Sequence, residues 1–172
     1  MNALRRNLEL KARCADLSAA RDAVRALGAA DAGELRQLDT YFVVPYGRLK
    51  LRETDGTAAE LIWYARGDSS SVRRSDYYVL PIPSAAETKD ALSRALGVRG
   101  TVRKRRLLWL WENVRIHLDE VDGVGRFVEF EAVIDANEGE TKSMRRVATL
   151  CEAMGVRDED RVAVSYSDLA GF

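Results

Sequence analysis

The sequence predicts an α+β fold built on a strongly curved antiparallel sheet or closed barrel. Three observations point there. Short segments alternate polar and apolar residues with a period of two, helical patterns are inserted between them, and the polar faces of successive segments carry charge.

The first segment, Asn7 to Arg13, sets Asn7, Glu9, Lys11 and Arg13 on one face and Leu8, Leu10 and Ala12 on the other. A helix is expected from about Asp16 to Leu27. Asp16 or Ser18 can cap it, Leu17, Ala20, Val24 and Leu27 recur at helical spacing, and Gly28 ends it. Thr40 to Val44 is β-branched and aromatic, and Pro45-Tyr46-Gly47 turns the chain. Arg48 to Arg52 alternates strictly, and after Asp55-Gly56 the run Glu60 to Arg66 returns as its partner. Tyr77 to Pro81 is a short strand, and Thr88 to Leu96 is a helix ending at Gly97. Thr101 to Trp111, Val114 to Val121 and Arg126 to Ile134 are three more strands. Lys142 to Met154 is an amphipathic helix stopped by Gly155, and a polar tail closes the chain.

A chain of 172 residues fits one domain, 1–172, and 47% hydrophobic residues is enough for a real core. Lys and Arg total 27, as do Asp and Glu, so no global field draws the chain to nucleic acid or an anionic membrane. Any anion site must be local. Cys14 and Cys151 lie far apart without metal-ligand spacing and read as ordinary reduced thiols. The N-terminus has no apolar signal core, and no apolar run approaches the ~20 residues of a membrane span, so a cytoplasmic protein is expected.

Charge on one strand ordinarily means a solvated face. Here like charges recur at i, i+2 on strand after strand: Arg48, Lys50 and Arg52; Lys104 and Arg106; Glu129 and Glu131. A surface made only for solubility would mix signs, because like charges on one strand face repel. Cations at successive positions suit a chain of phosphate oxygens. Paired carboxylates on the otherwise apolar run Phe127-Val128-Glu129-Phe130-Glu131 suit Mg²⁺ or Mn²⁺, which take one or two carboxylates plus substrate phosphates. Glu9 and Asp119 can join that cluster if their strands neighbour it. His117, the only histidine, lies between Arg115 and Asp119 and reads first as a hydrogen-bonded cavity wall, second as a proton carrier. Trp63, Trp109 and Trp111 read as packing groups. There is no Gly-rich phosphate loop.

The order of these blocks resembles the CYTH family, the triphosphate-tunnel fold of class IV adenylyl cyclases, thiamine triphosphatases and inorganic tripolyphosphatases. The blocks are Asn7-Leu8-Glu9-Leu10-Lys11, Leu38-Asp39-Thr40-Tyr41-Phe42, Gly47 to Glu53, Lys104-x-Arg106, Arg115-Ile116-His117-Leu118-Asp119 and Gly125 to Glu131. The cyclase-like branch is the nearest. The resemblance implies an antiparallel barrel of about eight strands around a charged tunnel, with flanking helices. It implies phosphate contacts from Lys11, Arg13, Lys50, Arg52, Arg66, Lys104, Arg106 and Arg115, and metal ligands at Glu9, Asp119, Glu129 and Glu131. Glu9, Lys11 and Arg115 would be the catalytic group.

Two positions depart from the family pattern. Asn7 replaces the first Glu of a Glu-x-Glu-x-Lys signature, and Tyr64 stands where a Lys is common, with Arg66 able to take over from the same face. The implied function is hydrolysis of a triphosphate (ATP, thiamine triphosphate or tripolyphosphate) with Mg²⁺ or Mn²⁺. Cyclisation of ATP to cyclic AMP and non-catalytic binding of a nucleotide or polyphosphate are the alternatives. Neither a membrane nor a nucleic acid is an expected partner, and a homodimer is compatible with the sequence.

Overall fold

Eight antiparallel strands form a closed barrel in the computed structural model, which describes residues 4–56, 58–134 and 139–172. In chain order they are β1 (Arg5–Arg13), β2 (Ala30–Phe42), β3 (Arg48–Thr54), β4 (Ala58–Arg66), β5 (Arg73–Pro81), β6 (Val98–Trp111), β7 (Val114–Val121) and β8 (Gly125–Ile134). Around the barrel the order is β1-β5-β4-β3-β2-β6-β7-β8, and β8 closes on β1. Helix α1 (Leu17–Ala26) follows β1, α2 (Ala85–Leu96) precedes β6, α3 (Glu140–Ala153) follows β8, and the single turn α4 (Tyr166–Leu169) ends the chain.

The larger of two hydrophobic clusters lies outside the barrel. Leu8, Leu10 and Ala12 of β1, Ile116 and Leu118 of β7, and Val128 and Phe130 of β8 point outward against Ala20 and Val24 of α1 and Val147 and Leu150 of α3. A strand has two faces, so this packing forces the alternate residues inward. On these three strands the outer face is covered by helices and the inner face carries the charges. Truncating a buried group such as Phe130 to Ala would cost about 3–5 kcal/mol, so the outer layer fixes the register of the inner one.

Helix α1 starts where Asp16 accepts hydrogen bonds from the backbone N–H of Ser18 at 2.8 Å and of Ala19 at 3.1 Å. After its last turn Gly28 takes φ +77°, open to glycine at little cost. Two strands begin four or more residues before the sequence reading. β2 begins at Ala30 rather than Thr40, with a register shift against β6 between Asp31 and Glu34, and β5 begins at Arg73 rather than Tyr77. The polar tail is also structured. It forms a bridge to β1 and then α4, with Val162, Ser165, Tyr166 and Ser167 buried. Among the described residues no helix is long and apolar enough to cross a membrane.

Candidate functional site

Cross-strand register arranges the inward charges in rows. Arg115 of β7 stands opposite Glu131 of β8, Glu131 opposite Glu9 of β1, and Glu9 opposite Arg73 of β5. In the next row His117 faces Glu129, and Glu129 faces Lys11. These rows and their neighbours enclose a cavity of about 210 Å³, whose walls include Asn7, Glu9, Lys11, Lys50, Arg52, Arg66, Lys104, Arg106, Arg115, Glu129 and Glu131.

One part of the wall is a cationic cradle around Asp39. Its fully buried carboxylate accepts from Lys50 Nζ at 2.9 Å, Lys104 Nζ at 3.0 Å, and Arg52 Nε and Nη2 at 2.7 and 2.8 Å. Burial alone would raise the Asp39 pKa, but Arg52, Lys104 and Lys50 outweigh it and hold the carboxyl well below the usual range. A single carboxylate cannot neutralise three cations. Burial, followed by the charge of Arg52, brings Lys50 down to about 8, and the same causes hold Lys104 well below the ordinary lysine value. The cradle is short of negative charge.

The opposite part is acidic. Ligand-capable atoms of His117, Glu129 and Glu131 lie within 4.8 Å of one another. Burial, then the charge of Arg106, lowers the His117 pKa, so its imidazole is neutral at neutral pH and has a lone pair to offer. Glu9 Oε1 lies 3.0 Å from both Arg66 Nη1 and Arg73 Nε, while burial and then Glu129 push its carboxyl up against the pull of Arg66. Beside these groups the Oδ1 of Asn7, 3% exposed, has no hydrogen-bond partner. The imidazole of His117 and the carboxylates of Glu129 and Glu131, so close together, fit a divalent cation by donor chemistry.

The placement differs from the sequence reading in several respects. Arg13 shares the inward phase of β1 but sits at the barrel end, exposed and stacked over the Phe127 ring, outside the cavity wall. Asp119 lies beneath the wall. Both its oxygens are held by Arg106, at 2.7 and 2.6 Å, and Tyr166 donates to it at 2.8 Å, so it orients Arg106 and stands apart from the His117–Glu129–Glu131 group. Glu129 is shared by Lys11 at 3.3 Å and Arg106 at 3.1 Å. Trp109 is packed in the outer core, in agreement with the sequence reading.

Arg73, which holds Glu9, lies in β5 four residues before Tyr77, outside the strand the sequence predicts. Asp39 has no role in the sequence expectations; an acid between Leu38 and Thr40, just before a cationic strand, is the signal for it. Tyr166, which lines the cavity from the C-terminal segment, had no periodic signal.

A closed barrel with its charges inside and its apolar core outside defines a tunnel protein whose chemistry is enclosed by the sheet. The CYTH domain model matches residues 5–166, and the chain belongs to that family. PH1012 protein from Pyrococcus horikoshii OT3 is similar in structure at 22% identity and TM-score 0.84, with 95% of this chain and 98% of that one covered. A candidate adenylate cyclase from Vibrio parahaemolyticus is similar at 20% identity and TM-score 0.78, over 96% and 98% of the two chains. HpAC1 from Hippeastrum, a candidate adenylyl cyclase described as having a dominant triphosphatase activity, is similar at 17% identity and TM-score 0.64, over 95% and 93%. Comparison with curated proteins gives no match. At these identities the structural likeness is one of fold, and family membership supports an enzyme.

Proposed function

We propose that this protein is a divalent-metal-dependent triphosphatase that hydrolyses an inorganic or organic triphosphate inside the tunnel. The observation that carries the reading is the charge imbalance of the inner wall. Asp39 is shared among three cations, and Arg115 Nε and Arg73 Nη2 are buried donors without partners. A polyphosphate chain supplies the missing charge and the missing acceptors together.

Phosphoryl transfer asks a protein mainly for positioning and charge stabilisation. In this reading Lys50, Arg52, Lys104 and Arg106 hold the phosphate oxygens along one wall, with Arg66 and Arg115 reaching the cavity from β4 and β7. Glu129 and Glu131, with His117 beside them, would hold the cation, which supplies charge neutralisation and a more acidic water. Lys11, in the cavity wall 3.3 Å from Glu129, offsets charge on the phosphoryl being cleaved. Glu9 is left to accept the proton of the attacking water. Its raised pKa moves it toward what a general base needs, and Arg66 and Arg73 fix Oε1, leaving Oε2 for the proton. The triphosphatase activity described for HpAC1, which has the same fold, is in keeping with this reading.

The test is product identity. The protein is incubated with tripolyphosphate, thiamine triphosphate and ATP under Mg²⁺ and Mn²⁺, and release of orthophosphate or diphosphate is expected from at least one of them. Cyclic AMP as the product from ATP would replace hydrolysis with cyclisation. Tight binding without any product from neutral to alkaline pH would make the protein a binder.

A further inference from the structure

The cations of the tunnel face aromatic rings as well as carboxylates. Lys11 Nζ lies 3.8 Å from the ring centroid of Tyr166, the shortest of these contacts, and Lys104 Nζ lies 5.4 Å from the same ring. Lys50 Nζ is 5.5 Å from both Tyr41 and Tyr64. A ring face attracts an ammonium through its quadrupole without cancelling the positive charge. A carboxylate at the same place would hold the lysine equally well but would spend the charge a bound anion needs.

We infer that Tyr166 is a positioning residue for the anion site, holding Lys11 by its ring face and Arg106 through Asp119, so that both cations stay aimed at the cavity. Lys11 has two competing attractions. Its contact with Glu129 Oε1 is 3.3 Å, longer than the 2.7–2.9 Å of a tight charge-assisted bond, while the ring holds it from the other side. Without the ring Lys11 can close onto Glu129 and leave the anion's path. The Tyr166 hydroxyl donates to Asp119 at 2.8 Å, and Asp119 in turn fixes the Arg106 guanidinium in a two-point grip.

The segment carrying Tyr166 is latched at its far end. Gly100 of β6 has no Cβ, and one placed there would overlap the Phe172 ring, which also packs edge-on against Tyr41 at 6.2 Å. The arrangement also accounts for Tyr64 in a position where the family often has a lysine, because a ring can serve Lys50 where a further cation would repel it.

The role rests on the triphosphate reading, and the experiment separates the two. Tripolyphosphate binding is measured by calorimetry without metal for the parent, Tyr166→Phe and Tyr166→Leu. The phenylalanine variant keeps the ring over Lys11 but loses the hydroxyl on Asp119 and should bind about threefold more weakly than the parent, while the leucine variant loses both and should bind about tenfold or more weakly. Lys11 ε-methylene resonances should lie upfield in the parent and in Tyr166→Phe, from the ring current, and should lose that shift in Tyr166→Leu. Parental affinity in Tyr166→Leu, or no ring-current shift in the parent, overturns the positioning role alone. A parent that binds no tripolyphosphate overturns the triphosphate reading and the role with it. If Tyr166→Leu does not fold, the parent decides: its Lys11 resonances must remain upfield as tripolyphosphate is added.

Discussion

Glu9 and Glu131 stand directly opposite each other across the β1–β8 ladder, both on the inner face of the barrel. Like charges so placed destabilise a sheet unless something cationic reaches them. Arg66 and Arg73 reach Glu9, and Arg115 reaches Glu131 at 2.9 Å, but each approaches from its own side. The ligand atoms of His117, Glu129 and Glu131, within 4.8 Å of one another, make the neighbouring part of the wall suited to a small, doubly charged ion, with Glu9 beside it.

Replacing Glu131 with Gln keeps the shape and removes one such charge. The expected outcome is a loss of at least about 10–100-fold in Mn²⁺ affinity, by analogy with the loss of groups that only support a ligand. Turnover at limiting metal should fall with it, while the fold survives. Metal titration followed by calorimetry checks the affinity and circular dichroism the fold. The site should also prefer Mn²⁺ to Mg²⁺, because His117 brings a nitrogen donor that Mg²⁺ seldom takes.

Asp39→Asn tests the cationic cradle. The substitution leaves Lys50, Arg52 and Lys104 buried without their shared counter-charge, which should cost about 3–5 kcal/mol of stability. Tripolyphosphate should return part of that loss by supplying the missing charge. Its stabilisation of the variant in thermal unfolding should therefore exceed its stabilisation of the parent. Equal ligand-induced shifts would mean that the anion does not bind against this wall.

The pH dependence of binding follows from Lys50. Its pKa in the free protein is about 8, set by burial and then by the charge of Arg52. A bound anion favours the charged ammonium and raises that pKa, so binding takes up a proton wherever free Lys50 is neutral. Affinity should be full below pH 8 and decline as the pH rises through it, by at most about tenfold per unit for one proton. Lys50→Arg stays charged and should remove the part of the decline that Lys50 causes, leaving the part due to Lys104 and Lys11, which burial also lowers. The ligand's own titration is common to both proteins, so the difference between them isolates Lys50.

Much of this was legible in the sequence because the barrel is inverted. Alternation at Leu8 to Ala12 and Phe127 to Glu131 reports two faces regardless of which one is solvated. Repetition of like charges along Arg48 to Arg52 then indicates that the polar face is the enclosed one. What failed was local. Ala30 to Gln37 is mostly exposed and polar, so that half of β2 has no alternation to read, and its pairing comes from β6. The segment from Asp158 to Phe172 has no period at all. It is ordered by tertiary contacts: Val162 donates its N–H to the Lys11 carbonyl at 2.8 Å, and Arg48 grips Asp168 at 2.9 Å. Long-range contacts of that kind leave no trace in neighbouring residues, so Tyr166 was invisible.

Asn7 gives the last prediction. It lies on the inner face of β1 two residues before Glu9, and Glu9 stands opposite Glu131, so a carboxylate at position 7 would join two others in a buried wall. Without metal, Asn7→Glu should lose about 3–5 kcal/mol, the scale of an uncompensated buried charge. With Mn²⁺ the same carboxylate becomes a ligand, and much of the loss should be recovered. Stability should therefore depend on metal far more steeply in the variant than in the parent. The unmodified protein should already turn over a triphosphate, since Glu9, Glu129 and Glu131 are all in the cavity wall. Asn7→Glu should change the metal preference more than it creates activity. Denaturant unfolding with and without Mn²⁺ decides the first point, and product release under Mg²⁺ and Mn²⁺ decides the second. A variant as stable as the parent without metal would place position 7 outside the acidic wall. Activity that appears only in the variant would make the natural protein a binder whose chemistry is lost with this one carboxylate.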